Sequence, residues 1–206
     1  MKPGKKQVKK NLKYSSIAIS GQPGAGRSTL LKNLKPYLTP LGWKFFSGGE
    51  WSRQFSIKAG KHNPKDPTHH FATDFGEEID RQIDITMREK LSDPNTHMAV
   101  ESWIAGWNMR SLPHVLKVLL ICDDALRIDR IVNRDNITVE EAKRHLRERE
   151  ETNLSKWEHM YKTRDFWNPK HYDLIINTYS HSQQETLDLV LQALRYYAVN
   201  GQKPQE

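Results

Sequence analysis

Apolar residues along this chain come in short runs set between long charged stretches. Ile17-Ala-Ile19 is the first such run, and Trp43-Lys-Phe-Phe46, His97-Met-Ala-Val100, Val115 to Ile121 and Tyr172 to Asn177 follow. Each has the length and residue types of a β-strand, and Val115–Ile121, the most apolar, reads as a buried central one. Between the runs the period changes. Thr29 to Leu34 predicts a helix directly after the first strand, with Pro36 and Pro40 bracketing the residues that follow. Phe75, Ile79, Ile83 and Met87 recur every four residues and predict a helix over about 73–91. Arg127, Arg130 and Arg134 fall at steps of three and four, on one face of a further helix. Thr138-Val-Glu-Glu141 is a capping box that opens a helix from Val139 to about Tyr161. That helix is polar at first (Ala142 and Leu146 apart) and then carries Leu154, Trp157 and Tyr161. So polar a helix is expected outside the core, as a mobile lid or as a solvated helix. Ser182-Gln-Gln-Glu185 caps a last helix whose Leu187, Val190, Leu191 and Leu194 form a docking stripe. Strands alternating with helices predict an α/β fold, a five-stranded parallel sheet with helices on both faces and a helical lid. The chain shows no internal repeat and no second core.

A length of 206 residues suits one domain. No apolar run reaches the roughly 20 residues of a spanning helix, and Met1-Lys-Pro-Gly-Lys-Lys lacks the apolar stretch of a secretory signal. The lone cysteine, Cys122, has no intrachain partner and reads as a buried structural thiol. A cytoplasmic protein, most simply a monomer, is expected. The net charge of +7 is unevenly placed: the first 49 residues hold ten Lys and Arg and no acid, leaving −3 for the rest. Six of those lysines precede Tyr14, in a tail that is either simply solvated or a weak, non-specific tether to RNA. The histidines at 62, 69 and 70 lack finger spacing and read as a polar surface cluster.

The chemistry concentrates at Gly21-Gln-Pro-Gly-Ala-Gly-Arg-Ser28, a glycine-rich turn between the first strand and the first helix. In that context G-x-x-x-x-G-K-[ST] is a phosphate cradle: glycines let backbone N–H groups converge on phosphate oxygens, and the helix N-terminus adds its positive dipole end. A ligand-free structural turn is the competing reading. Arg27 occupies the lysine position of the pattern, and Ser28 is placed to give its hydroxyl to Mg²⁺. The second strand ends in Ser47-Gly-Gly-Glu50, where Gly49 lets backbone approach a ligand. Arg53 lies a helical turn further, facing the same crevice or solvent. Glu101 closes the third strand, positioned to reach Mg²⁺ through water or to cap a helix.

These residues resemble, in order, the short cytidylate kinases of archaeal type among the nucleoside monophosphate kinases. The matches are Ile-Ser-Gly-Gln-Pro-Gly-Ala-Gly (19–26), Ser-Gly-Gly-Glu with Arg53, Glu-Ile-Asp-Arg (78–81) and Val-Glu (100–101). Ala-Gly-Trp (105–107), Arg149-Glu150 with Tyr161, and Tyr-Asp-Leu-Ile-Ile-Asn-Thr (172–178) complete them. The resemblance implies transfer of the γ-phosphoryl group of ATP to CMP or dCMP with Mg²⁺. Gly21, Gln22, Pro23, Gly24, Ala25, Gly26, Arg27, Ser28 and Thr29 would hold ATP, and Ser28 and Glu101 the metal. Gly49, Arg53, Asp80, Trp103, Gly106 and Lys156 would bind the acceptor, while Arg27, Arg134 and Arg149 would neutralise the transferring oxygens. It implies one kinase domain over 14–197, with an acceptor region at about 47–92 and a lid at about 134–160, between loose tails at 1–13 and 198–206. Three positions depart from the family pattern: Arg27 for lysine, Trp103 for the arginine of Gly-Arg-Leu-Ala-Gly, and Lys156-Trp157 for Arg-Tyr. They keep two other readings open, a nucleotide-binding pseudokinase or regulator and a kinase for a different small-molecule acceptor.

Overall fold

The computed structural model describes residues 12–61 and 76–196. Five strands, β1 (Ser16–Gly21), β2 (Lys44–Ser47), β3 (Met98–Glu101), β4 (Val115–Ile121) and β5 (Leu174–Asn177), form one sheet in the order β2-β3-β1-β4-β5. Every neighbouring pair is parallel. Alternation along β1 explains the layers. Ile17 and Ile19 point into a cluster with Leu30, Leu34, Leu187 and Val190, which come from α1 (Arg27–Leu38) and α7 (Gln183–Ala193). Ala18 points the other way, toward Met87, Leu91, Val100 and Met109 beneath α3 (Glu77–Ser92) and the short α4 (Ala105–Asn108). Both faces are therefore covered, as a parallel sheet requires. The same register brings the carboxyl ends of β1, β2 and β3 together: Glu101 is the partner of Ile19 on one side and of Ser47 on the other.

Local chemistry departs from the expected boundaries in a few places. Helix α1 runs through Pro36 to Leu38. Pro36 cannot donate back along the helix, but Leu34 and Leu38 are fully buried, and that packing outweighs the local penalty. The helix expected from about residue 73 is seen from Glu77; residues 73–75, Phe75 among them, and the histidines at 62, 69 and 70 lie outside the described residues. Leu12 packs on the core and the Lys13 N–H donates to the Leu194 carbonyl at 2.9 Å, so the body of the protein takes in the last two residues of the expected tail. Cys122 is half-buried, its sulfur 3.5 Å from the Arg130 guanidinium, where a buried thiol was expected.

The long charged helix is the largest surprise. The capping box forms at Thr138 and Glu141, and α6 (Val139–Tyr161) follows as one helix. It is not solvated all round. Ala142 and Leu146 pack on Ile131 of α5 (Asp124–Asp135). At the other end Trp157 and Met160 join Ile104, Trp107 and the fully buried Phe166. These three rings and that of the half-buried Tyr161 meet edge-on or tilted, with Trp107 and Phe166 centroids 4.9 Å apart and Trp107 and Tyr161 5.1 Å apart. Burying one such ring stabilises by about 2–3 kcal/mol. One half of α6 is thus anchored in an aromatic core, while its middle turns face the strand ends.

Candidate functional site

Five residues, Gln22 to Gly26, link β1 to α1 above the carboxyl edge of the sheet. The turn needs glycine twice. Gly24 has φ +81°, and a Cβ there would sit 2.9 Å from the Arg127 carbonyl oxygen. Gly26, with φ +97°, leaves the space of its missing side chain empty. The loop is held from outside by α5. Buried Arg127 donates to the Pro23 carbonyl at 2.8 Å and to the Gln22 side chain at 3.1 Å, and pairs with Asp124 and Glu150. Arg130 donates to the Gly24 carbonyl at 2.9 Å and to both oxygens of Thr178. These two arginines tie up the loop's carbonyls and fix its shape from behind. Their spacing was visible in the sequence; what they bind was not.

At the base of the loop sits Glu101, only 1% exposed. Its Oε1 accepts from Ser47 at 2.5 Å and faces the Ser28 hydroxyl at 3.3 Å. Arg27 Nη1 stands 3.0 Å from Oε2. Burial pushes the Arg27 pKa down; Glu101 opposes that shift, and the cations Arg127 and Arg134 add to it. These groups line a cleft of about 1030 Å³ that also takes in Thr29, Arg53 of α2 (Gly48–Lys58), Trp103, Arg134 and Arg149. Arg134 is exposed and pairs with its neighbour Asp135 at 2.6 Å. Arg149 reaches in from α6, and burial together with repulsion from Arg134 and Arg27 pushes its pKa down to about 10. So dense a set of guanidiniums with so few carboxylates is matched to a polyanion.

A second, smaller cavity of about 110 Å³ adjoins the first. The two share Gly49, Trp103 and Arg149 as wall. Here the chemistry reverses, with Asp80 and Asp84 set among Ile83, Met87 and Trp157. Lys156 Nζ lies 2.5 Å from Asp80, whose pKa burial raises against the pull of that lysine. Asp84 accepts from the Tyr161 hydroxyl at 2.5 Å, and burial pushes its pKa up to about 6. Asp84 escaped the sequence reading, although it lies one helical turn beyond Asp80 on the same face.

Most of the residues singled out from sequence thus meet around two connected cavities. Gly21, at the end of β1, and Ala25, within the loop, are buried and line neither cavity, and Lys156 reaches the smaller one only through its pair with Asp80. Gly106 lines neither as well. Its N–H donates to the Ser20 hydroxyl at 2.7 Å, and a Cβ there would lie 2.5 Å from the Tyr172 ring, so the position requires glycine for packing. Ser28 and Glu101 offer the hard oxygen donors that Mg²⁺ prefers beside a phosphate, and to that extent they fit such an ion. Among the described residues no group of three or more His, Cys, Asp or Glu could hold a metal alone. Nor, among them, is any helix long and apolar enough to cross a membrane.

A parallel sheet in this order, with a glycine loop on its central strand and a cationic cleft at its carboxyl edge, defines the P-loop kinase fold. Solved structures agree on the fold. Shikimate kinase from Acinetobacter baumannii in complex with shikimate superposes with a TM-score of 0.54 at 18% identity, over 87% of this chain and 92% of that one. A gluconokinase from Sinorhizobium meliloti gives 0.54 at 14% identity, over 91% and 95%. Sequence narrows the class. The model of the cytidylate kinase-like family matches residues 50–180. The cytidylate kinase of Haloarcula marismortui is 31% identical over 90% of this chain and 92% of its own length. That of Archaeoglobus fulgidus is 31% identical over 86% and 93%. The chain belongs to the cytidylate kinase-like family.

Proposed function

We propose that the protein transfers the γ-phosphoryl group of ATP to CMP or dCMP, giving ADP and CDP or dCDP. The observation that supports this most is the joining of two unlike cavities across one wall. One is cationic and built on a glycine loop, the other small, partly apolar and carboxylate-bearing. In this reading the amides and Arg27 of the loop hold the ATP phosphates. Arg53 grips the acceptor phosphate, and the acceptor's base enters the smaller cavity beside Asp80 and Asp84. Phosphoryl transfer asks little covalent chemistry of the protein and much positioning. Arg134 and Arg149, on the region 134–160, neutralise charge on the transferring oxygens, and the closing of that region would exclude water. The acceptor region is then 47–92. Ser28 and, through water, Glu101 would hold Mg²⁺, whose contribution is to neutralise phosphate charge.

The names of the curated relatives support cytidylate as the acceptor, and the two carboxylates suit the donor amino group of cytosine. The test is ADP release from Mg-ATP with each ribo- and deoxyribonucleoside monophosphate beside a no-acceptor control. CMP and dCMP are expected to be used fastest. A panel in which no acceptor exceeds the ATPase background removes the kinase reading. It would favour a nucleotide-binding protein without turnover, a reading that the hold of Glu101 on Arg27 also supports. A panel in which only a non-nucleotide acceptor works would keep the loop and replace the substrate.

A further inference from the structure

Arg27 and Arg149 share an uncharged neighbour. The Arg27 guanidinium carbon lies 6.0 Å from the centre of the Trp103 ring, and that of Arg149 lies 5.6 Å from it. The Arg149 Nε–H is buried and, among the described residues, has no acceptor to donate to. Trp103 itself is pinned. Its carbonyl accepts from the Gly21 N–H at 3.2 Å and from Trp167 Nε1 at 3.0 Å, and its ring meets Trp157 edge-on at 5.6 Å. The backbone at Trp103 is thus held on two sides, the Trp157 ring abuts the indole, and Trp103 stands in the wall between the two cavities.

A carboxylate in that place would hold the two arginines, but it would also neutralise them and repel an entering phosphate. An indole attracts guanidinium through its quadrupole, carries no charge and gives the cations up intact. We propose that Trp103 is a positioning residue, an uncharged aromatic platform that keeps Arg149 and Arg27 oriented without adding a second negative charge to that of Glu101, which already pairs with Arg27. The assignment moves Trp103 from touching the acceptor to acting through two arginines. It rests on the cleft being a phosphate site, and only its kinetic arm rests on the kinase reading.

The test removes the quadrupole without changing the shape. Tryptophan at 103 is replaced site-specifically by mono-, di- and tetrafluorotryptophan, and ATP affinity is measured by calorimetry without acceptor. Turnover with CMP is measured separately. Affinity for ATP is expected to fall stepwise with fluorination, by about fivefold at four fluorines. The kcat with CMP should fall in the same order while KM for CMP stays within twofold. Trp103→Leu should lose at least as much, and Trp103→Phe should recover part of the loss; should the leucine chain not fold, the isosteric series decides alone. A flat series in ATP affinity, with a wild type that binds ATP, overturns the proposal and leaves the kinase reading standing. A graded ATP series in a protein that phosphorylates no acceptor supports the platform and removes the kinase. A wild type that binds no ATP overturns both.

Discussion

The two cavities sit side by side and are built on opposite electrostatic principles. In the larger one Arg27, Arg53, Arg134 and Arg149 converge on a space with a single buried carboxylate, Glu101. In the smaller one two carboxylates sit among apolar side chains, with one of them paired to Lys156. Each set is held away from its electrostatic optimum, since the pKa of Arg149 is pushed down and that of Asp84 is pushed up. A protein that only needed to be stable would interleave these charges. Keeping them apart suits one side to anions and the other to hydrogen-bond donors, at a cost in stability.

The largest loss is expected where the two cavities meet. Arg53→Ala should cost roughly 2–4 kcal/mol of transition-state stabilisation toward the acceptor, read as kcat/KM for CMP, with ATP affinity nearly kept. A loss of less than about fivefold, roughly 1 kcal/mol, would put Arg53 outside the acceptor site.

Arg149→Met should lower kcat by about a hundredfold and raise the melting temperature of the ligand-free protein. Its depressed pKa means that the fold disfavours the charged form, a cost present at every pH below about 10 and relieved only above it. Removing the charge should return on the order of 1–3 kcal/mol at neutral pH. Thermal unfolding with and without ATP separates the two effects, and a variant both inactive and less stable would contradict this balance.

Asp84→Asn tests the other side. Its folded pKa of about 6 is raised above the unfolded value, so the folded state keeps the proton longer and the wild type loses stability as pH rises from about 4 through 6. Asparagine keeps an acceptor for Tyr161 and does not ionise. The variant should therefore gain on wild type by roughly 1–3 kcal/mol between pH 4 and pH 8, with the gain levelling off above pH 7. Urea unfolding across that range is the measurement. A pH-independent difference would mean that Asp84 ionises as freely folded as unfolded.

The smallest effect is expected outside both cavities. Deleting residues 2–11, which stops short of the anchored Leu12 and Lys13, should leave stability and kcat within about twofold. If the tail holds RNA, the deletion should also abolish a retention that is steeply salt-dependent and blind to sequence.

Much of this arrangement could be read from the sequence, and the rest fails for identifiable reasons. The β1-loop-α1 unit was legible because its glycines, its apolar alternation and its helix period are all local. The aromatic core around Phe166 was not, because Trp107, Trp157 and Phe166 come from a short helix, a long one and a loop with no shared period. Arg127, Arg130 and Arg134 looked equivalent by spacing. The fold separates them, sending Arg127 and Arg130 to the loop's carbonyls and leaving Arg134 paired with Asp135 at the cleft wall. The contact of Arg27 with Glu101 needed the register of three strands, which no local pattern encodes. Pro36 misled because helix-breaking is a local rule and burial of Leu34 and Leu38 is not.

The claim at the centre is that the arginine cleft moves a phosphoryl group and has not merely kept the shape of one that did. Single-turnover transfer of label from γ-labelled ATP to CMP tests it directly, with wild type, Arg27→Lys and Arg27→Ala compared at saturating ATP. Labelled CDP is expected from the wild type at a rate at least a hundredfold above Arg27→Ala, the size expected for an oriented cation worth about 3 kcal/mol, with Arg27→Lys equal or slower. A wild type that labels CDP no faster than Arg27→Ala, or an Arg27→Lys chain at least tenfold faster than wild type, would contradict it.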